Sequence, residues 1–146
     1  MQNPRNIKIR PFTIDDYDEV IRFWSTIEGI TLNESDTLEA IAAFLERNPY
    51  FSVVAVNEEE KIVGAVLCGH NGRAGSLQHL AVAVQHRGKG IAQALVAYCF
   101  RKLAEAHVPR CNIFVYSDND EGNLFWSRNG WADPTTWKVM QKFVEP

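Results

Sequence analysis

The chain opens on a two-residue alternation. Ile7-Lys8-Ile9-Arg10 is apolar and charged by turns, which predicts a short strand stopped by Pro11. The period then lengthens. Ile14, Tyr17, Val20, Ile21, Trp24 and Ile27 recur at helical spacing behind Thr13, an N-cap residue. Asp15 and Asp16 stand in the first turn, where negative charge meets the positive end of a helix, and Gly29 closes it. A second helix is predicted from Ser35 or Asp36. It turns Leu38, Ile41, Ala42 and Leu45 inward and stops at Asn48-Pro49.

Three strand patterns follow. Residues 51–56 are β-branched and apolar, 57–60 form a polar turn, 61–69 give a second strand and 77–84 a third. The connector between the last two holds Gly69, Gly72 and Gly75, a composition suited to a hairpin that needs positive φ. A glycine-rich loop can also cradle phosphate, but this one lies between two strands and not ahead of a helix, so it is read as a turn. Ile91, Leu95, Cys99 and Leu103, flanked by Ala92 and Val96, restore the helical period up to Ala106. Residues 111–116 are a fourth apolar strand, 119–129 a short helix ending at the C-cap pair Asn129-Gly130, and 137–144 a closing strand.

The predicted order is β-α-α-β-β-β-α-β-α-β. The strand–helix–strand unit over 77–116 is a right-handed crossover, so those two strands are parallel, and the hairpins before it are antiparallel. The fold class is therefore α/β, a mixed sheet with helices on both faces. No internal repeat, linker or low-complexity stretch interrupts it, and residues 6–146 are expected to form a single domain.

Composition narrows the function classes. At 146 residues and 46% hydrophobic content, the chain suits one domain with a real core. No run of about 18 apolar residues exists, so no membrane span is expected. The stretch 1–6 leads into no apolar segment of signal-peptide length, which predicts a cytoplasmic protein. Cys68, Cys99 and Cys111 are odd in number and widely spaced, and read as reduced, buried thiols. The four histidines show no ligand spacing, so no metal is expected. A net charge of −3 argues against nucleic acid as a partner. The charge is uneven. Residues 1–60 carry five basic and twelve acidic side chains, a balance of −7, and residues 61–146 carry ten and six, a balance of +4. An anionic ligand suits the second half and a cationic one the first.

The chemistry concentrates in Gln85-His86-Arg87-Gly88-Lys89-Gly90-Ile91-Ala92, between a strand and a helix. Gly88 and Gly90 let the backbone turn tightly and approach a ligand. The first N–H groups of the helix have no intrahelical partner, and Arg87 and Lys89 add full charges, which together make a pyrophosphate site. The segment is neither a Walker A motif nor a dinucleotide fingerprint. An ordinary strand–helix turn with surface cations is the plainer alternative.

Gln85-x-x-Gly88-x-Gly90 resembles the acyl-CoA loop of the GCN5-related N-acetyltransferase (GNAT) superfamily, and Leu80-Ala81-Val82 resembles its central strand. Val115, Asn119 and the run Phe125-Trp126-Ser127-Arg128-Asn129-Gly130-Trp131 are similar to its closing segment, and residues 7–16 to its first strand and helix. The resemblance covers residues 6–144 in the family's order of elements. It implies a GNAT-like fold and an N-acetyltransferase that moves an acetyl group from acetyl-CoA to a primary amine, of a small molecule or a peptide, in a ternary complex. It implies a V-shaped opening between the strands at 77–83 and 111–116. There the pantetheine arm would pair with Leu80, Ala81 and Val82, and the pyrophosphate would rest on residues 87–92 beside Gln85. Asn119 and Phe125 would flank the arm, and the backbone N–H at Val82 would stabilise the oxyanion. Homodimers, common in that family, are an expectation with no interface identified.

Where many members carry a tyrosine acid four residues before the closing glycine, this chain has Trp126. An indole N–H donates a hydrogen bond but supplies no proton at neutral pH. Three readings follow: thiolate departure without a side-chain acid, substitution by water, Ser127 or Tyr116, or a non-catalytic acyl-CoA sensor or interaction module. His79, ahead of Leu80, is the candidate base, or else a half-buried strand residue. Glu28, Glu34 and Asp36 are candidates to attract a cationic acceptor, or surface carboxylates. Trp24 is a candidate to line the acceptor pocket, or core.

Overall fold

The computed structural model describes residues 6–134 and 136–145. Expectations that touch residues 1–5 and Pro146 lie outside the described residues. β1 (Lys8–Pro11) is followed by α1 (Tyr17–Ser25), α2 (Leu38–Arg47), β2 (Val53–Val56), β3 (Ile62–His70), β4 (Gly75–Val82), α3 (Ile91–Glu105), β5 (Cys111–Ile113) and α4 (Asp120–Arg128). Nine predicted elements thus stand in the predicted order. The tenth does not form. Residues 136–145 have no regular structure, and Trp137, Val139, Met140, Phe143 and Val144 are exposed. A strand needs a neighbouring edge to take its N–H and C=O groups, and the described sheet ends at β5 without this segment.

The five strands lie in the order β1-β2-β3-β4-β5, antiparallel until the parallel pair β4–β5. β2 is buried along its whole length because both faces of the sheet are covered there. Val54 and Val56 face one way, into a core with Phe12, Val20, Trp24 and Ile41 from β1, α1 and α2. On the opposite face lies α3, which buries Ile91, Leu95, Cys99 and Leu103. Its Leu95 stands 3.3 Å from where a Gly64 Cβ would be.

The helix starts differ from the simple pattern for a local reason. Thr13 and Asn33 each open a single 3-10 turn, Ile14–Asp16 and Glu34–Asp36, closed by a reciprocal capping box. Asp16 accepts from Thr13 N at 2.9 Å and takes two hydrogen bonds from the Arg10 guanidinium at 2.8 Å. Burial works to raise its carboxyl, but these donors outweigh it and hold it below the ordinary value. α2 begins at a second cap, Thr37, and this leaves Leu38 48% exposed where the pattern had placed it inside.

The β3–β4 hairpin needs its glycines for two reasons. Gly72 has φ +91 in the turn. Gly69 and Gly75 lie in the strands and are required by close approach. A Cβ on Gly69 would meet Asn48 and Phe44 at 2.7 Å, and one on Gly75 would meet Leu103 at 2.8 Å.

The described residues fall into two compact units, 6–114 and 115–145. Among the described residues no helix is long and apolar enough to cross a membrane, and no cluster of His, Cys, Asp or Glu is arranged to hold a metal ion. The three cysteines are free thiols, with Cys68 and Cys99 buried and Cys111 partly so. Cys99 is raised above the ordinary thiol value by its hydrogen bond with Cys68 and by burial. Burial, with the charge of Cys68 behind it, pushes Cys111 up to about 12.

Candidate active site

β4 runs parallel to β5 over three residue pairs, Gly75–Cys111 to Leu77–Ile113. There the ladder stops, and β4 continues to Val82. On the β3 side it stays paired, with Ala65 opposite Ala81 and Gly64 opposite Val82. The backbone edge from Gln78 to Val82 is therefore open on the β5 side of the described sheet. Ala83 N donates back to Val63 O at 2.8 Å. Successive strand residues turn their N–H groups to opposite edges, so the Val82 N–H and C=O face the open edge. Arg87 Nε donates to that carbonyl at 3.0 Å, tying the loop to the strand end. Leu80 is partly exposed, and Ala81 and Val82 are 5% and 7% exposed.

The open edge leads into a 3-10 turn, Val84–His86, and then into the glycine turn before α3. Gly88 has φ +78 and Gly90 φ +83; Gly90 is the N-cap and offers no side-chain cap. The N–H groups of Ile91 and Ala92 consequently open the helix with no intrahelical acceptor. A Cβ at Gly88 or Gly90 would meet nothing within 4 Å, so the space above this turn is free for a ligand. Arg87 and Lys89 are exposed, as is Gln85. Gln85 also lines a cleft of about 410 Å³ with Phe23, Ile27, Lys61 and Val63. These features fit a pyrophosphate held by backbone N–H groups and flanked by cations.

Upstream, the register of β3 against β4 shifts between Ala65 and Leu67, so that Val66 faces both His79 and Leu80. This bulge puts His79 in the left-handed region at φ +56, a conformation that costs a non-glycine residue roughly 1–2 kcal/mol. Its side chain is 20% exposed and bonds Asp36, with Nε2 at 3.0 Å from Oδ1 and 3.2 Å from Oδ2. The Trp24 ring meets the imidazole edge-on with centroids 4.9 Å apart.

This arrangement selects the core reading of Trp24 and corrects the surface reading of Asp36. Trp24 is fully buried, because its place in the α1 period turns it into the core, and it reaches the site only by packing on His79. Asp36 is not a surface carboxylate. Its side chain is 5% exposed, held by His79 and by Asn33 N at 3.0 Å. The sequence reading names Asp36 only as a carboxylate for a cationic acceptor or for the surface, and misses its contact with His79. The Asn33-x-x-Asp36 capping box marks an inward-turned carboxylate, but nothing local points to a histidine 43 positions away. Glu28 and Glu34 are exposed.

The remaining candidates lie in residues 115–145. Asn119 caps α4, its Oδ1 accepting from Gly122 N at 3.0 Å. Phe125 and Trp126 have ring centroids 5.1 Å apart, and Trp126 meets Trp131 at 4.9 Å, both edge-on. Trp126 is partly exposed, and Ser127 and Tyr116 are exposed.

Comparison with known proteins gives the family. The family model described as "Acetyltransferase (GNAT) family" matches residues 15–131. An acetyltransferase of Yersinia pestis (strain Pestoides F) is 36% identical over 115 residues, covering 78% of this chain and 79% of the relative. An acetyltransferase of Sodalis glossinidius is 33% identical over 114 residues, with the same shares covered. Among solved structures, the PaiA N-acetyltransferase of Thermoplasma acidophilum in complex with coenzyme A shares the fold with a TM-score of 0.75 at 18% identity, over 89% of this chain and 92% of that one.

Proposed function

The chain belongs to the acetyltransferase (GNAT) family of acyl-CoA-dependent transferases, and from that premise we propose that it moves an acetyl group from acetyl-CoA to a primary amine, of a small molecule or of a peptide or protein, by direct attack in a ternary complex. One observation carries the reading. The open backbone edge of β4, from Gln78 to Val82, carries the His79 bulge and runs into the loop that leads to the glycine turn of α3, so the proposed base, thioester-binding edge and pyrophosphate site follow one another along one continuous stretch of chain.

In this reading the pyrophosphate rests on the N–H groups at Ile91 and Ala92, beside Arg87, Gly88, Lys89 and Gln85. The pantetheine arm pairs with Leu80 to Val82 as an added strand. The Val82 N–H donates to the thioester oxygen, a contact worth roughly 3 kcal/mol where single donors of this kind have been removed. His79 collects a proton from the incoming ammonium group. Glu28 draws a cationic acceptor. Trp126 supplies no proton. The sulfur leaves as a thiolate, which a thiol pKa of about 8.5 permits.

The test is thiol release from acetyl-CoA by the full chain across polyamines, amino acids, aminoglycosides and short peptides. Saturable release with one class supports the reading and names the acceptor. Tight acetyl-CoA binding with silence across the panel would replace it with that of an acyl-CoA sensor, the reading that Trp126 at the acid position favours.

A further inference from the structure

The ring of His79 is held from two sides, by the Asp36 carboxylate and by the Trp24 ring. Asp36 comes from the 3-10 turn before α2, Trp24 from α1 and His79 from the bulge of β4. The carboxylate is itself fixed. Its Oδ2 accepts from Asn33 N at 3.0 Å, and the backbone carbonyl of Asp36 accepts from the Tyr17 hydroxyl at 2.6 Å. Burial, ahead of the nearby charges of Asp36, Glu39 and Asp18, raises the Tyr17 phenol above its ordinary value, so that it stays a donor. Trp24 is fully buried, and its Nε1 has no hydrogen-bond partner among the described residues. A buried, unpaired donor is unfavourable. Together with the left-handed backbone at His79 it is a second departure from ordinary geometry within the same few side chains.

A carboxylate has acceptor sites and no proton to give. The two contacts of Asp36 with Nε2 therefore require a hydrogen on Nε2. In the neutral ring the lone pair then lies on Nδ1. Nδ1 makes no hydrogen bond within the described residues and is not among their buried unpaired atoms. It therefore keeps some contact with solvent, while Nε2 is engaged by Asp36.

We propose that Asp36 is a positioning residue for acetyl transfer: it fixes His79 as the Nε2–H tautomer and makes Nδ1 the atom that accepts the acceptor's proton. This rests on the reading of His79 as the base. A substrate ammonium gives one proton to Nδ1 and becomes a neutral amine. Its lone pair attacks the thioester carbon, forming the N–C bond. The C–S bond breaks with its electron pair going to sulfur. The proton that the new amide must lose passes to the thiolate, and the imidazolium returns its own proton to water. Asp36 touches neither substrate nor reacting atom.

The tautomer is read directly by long-range ¹H–¹⁵N correlation of the imidazole in the ¹⁵N-labelled full chain at mildly alkaline pH. The expected spectrum has a protonated Nε2 and a bare Nδ1. Asp36→Asn, which offers an amide donor in place of the carboxylate, should shift His79 towards the Nδ1–H form. It should lower kcat by about 10²-fold, the lower end of what a general base contributes, with KM for acetyl-CoA unchanged. In a His79→Gln background Asp36→Asn should have no further effect on kcat, whereas a merely structural role would lower both backgrounds alike. A wild-type ring with its proton on Nδ1 overturns the inference while leaving the transferase activity standing, and this holds even if Asp36→Asn fails to fold. Full activity in His79→Gln, with the Nε2–H form present in the wild type, removes the base assignment and the inference with it.

Discussion

Residues 6–114 and residues 115–145 show the same alternation of apolar and polar positions with different outcomes. In the first region the apolar side chains meet across a sheet covered on both faces, from Phe12 to Val108. In the second no described residue is buried. Its order comes from short-range bonds: Asn119 caps α4, Asn123 Nδ2 donates to the carbonyls of Tyr116, Ser117 and Asn119, and Phe125, Trp126 and Trp131 stack edge-on. The difference separates helix from strand. A helix closes its own backbone hydrogen bonds, so α4 forms with no buried face. A strand borrows its partners from a neighbour, so 137–144 stays irregular.

The comparison is sharpened most by Trp24→Ala. Trp24 is the largest fully buried side chain, and its removal leaves a cavity among Phe12, Val20 and His79. A loss of about 3–5 kcal/mol in urea-unfolding free energy is expected. A loss below about 1 kcal/mol would mean that the first region is no better packed than the second. Gly90→Glu comes next. Affinity for acetyl-CoA should fall at least about 10²-fold in titration calorimetry, because a carboxylate enters the space above the helix start where the pyrophosphate is proposed to lie. Gly90 has φ +83, so the same change also costs roughly 1–2 kcal/mol of stability. Gly90→Ala carries that strain without the charge and separates the two effects. Unchanged affinity in Gly90→Glu would remove the pyrophosphate assignment.

What was legible in the sequence follows the same line. Nine elements could be read because each has its own period, with stops legible at Pro11, the last residue of β1, and at Asn48-Pro49 behind α2; α1 ends at Ser25, four residues ahead of the glycine expected to close it. The glycine turn was legible as a motif because its chemistry is local, with N–H groups, cations and glycines adjacent in the chain. The bulge was not. It arises from one residue of mismatch between β3 and β4, and no glycine or asparagine marks the position, which is filled by a histidine at φ +56 within a strand pattern. The Asp36–His79 contact spans 43 positions and depends on that bulge. Nor could the sequence tell that Gly69 and Gly75 are fixed by Phe44, Asn48 and Leu103 and not by the turn itself.

A smaller effect is expected at Arg10–Asp16, where the first region secures its entrance. The Asp16 carboxyl is held below its ordinary value, so its contribution is full above the unfolded-state value of 3.8 and disappears as pH falls through the folded-state value. Asp16→Asn should cost about 1.5–3 kcal/mol at neutral pH, the range of hydrogen bonds to charged groups. The gap between wild type and variant should close in strong acid. An equal gap at every pH would mean that shape, not charge, sets the role of Asp16.

The smallest effect should lie in the second region. Phe143 is 79% exposed in a segment with the spacing of a strand and no strand beside it. Phe143→Ala should therefore change unfolding free energy by no more than about 0.5 kcal/mol, as for a surface substitution. If residues 137–144 pair as a closing strand in solution, the ring is buried and the loss rises to about 3 kcal/mol or more. Backbone amides of 138–144 would then resist hydrogen exchange as those of β2 do. A small loss with fast exchange leaves the segment as a strand pattern without an edge to join. A large loss with slow exchange would erase the contrast between the two regions and restore the tenth element that the alternation predicts.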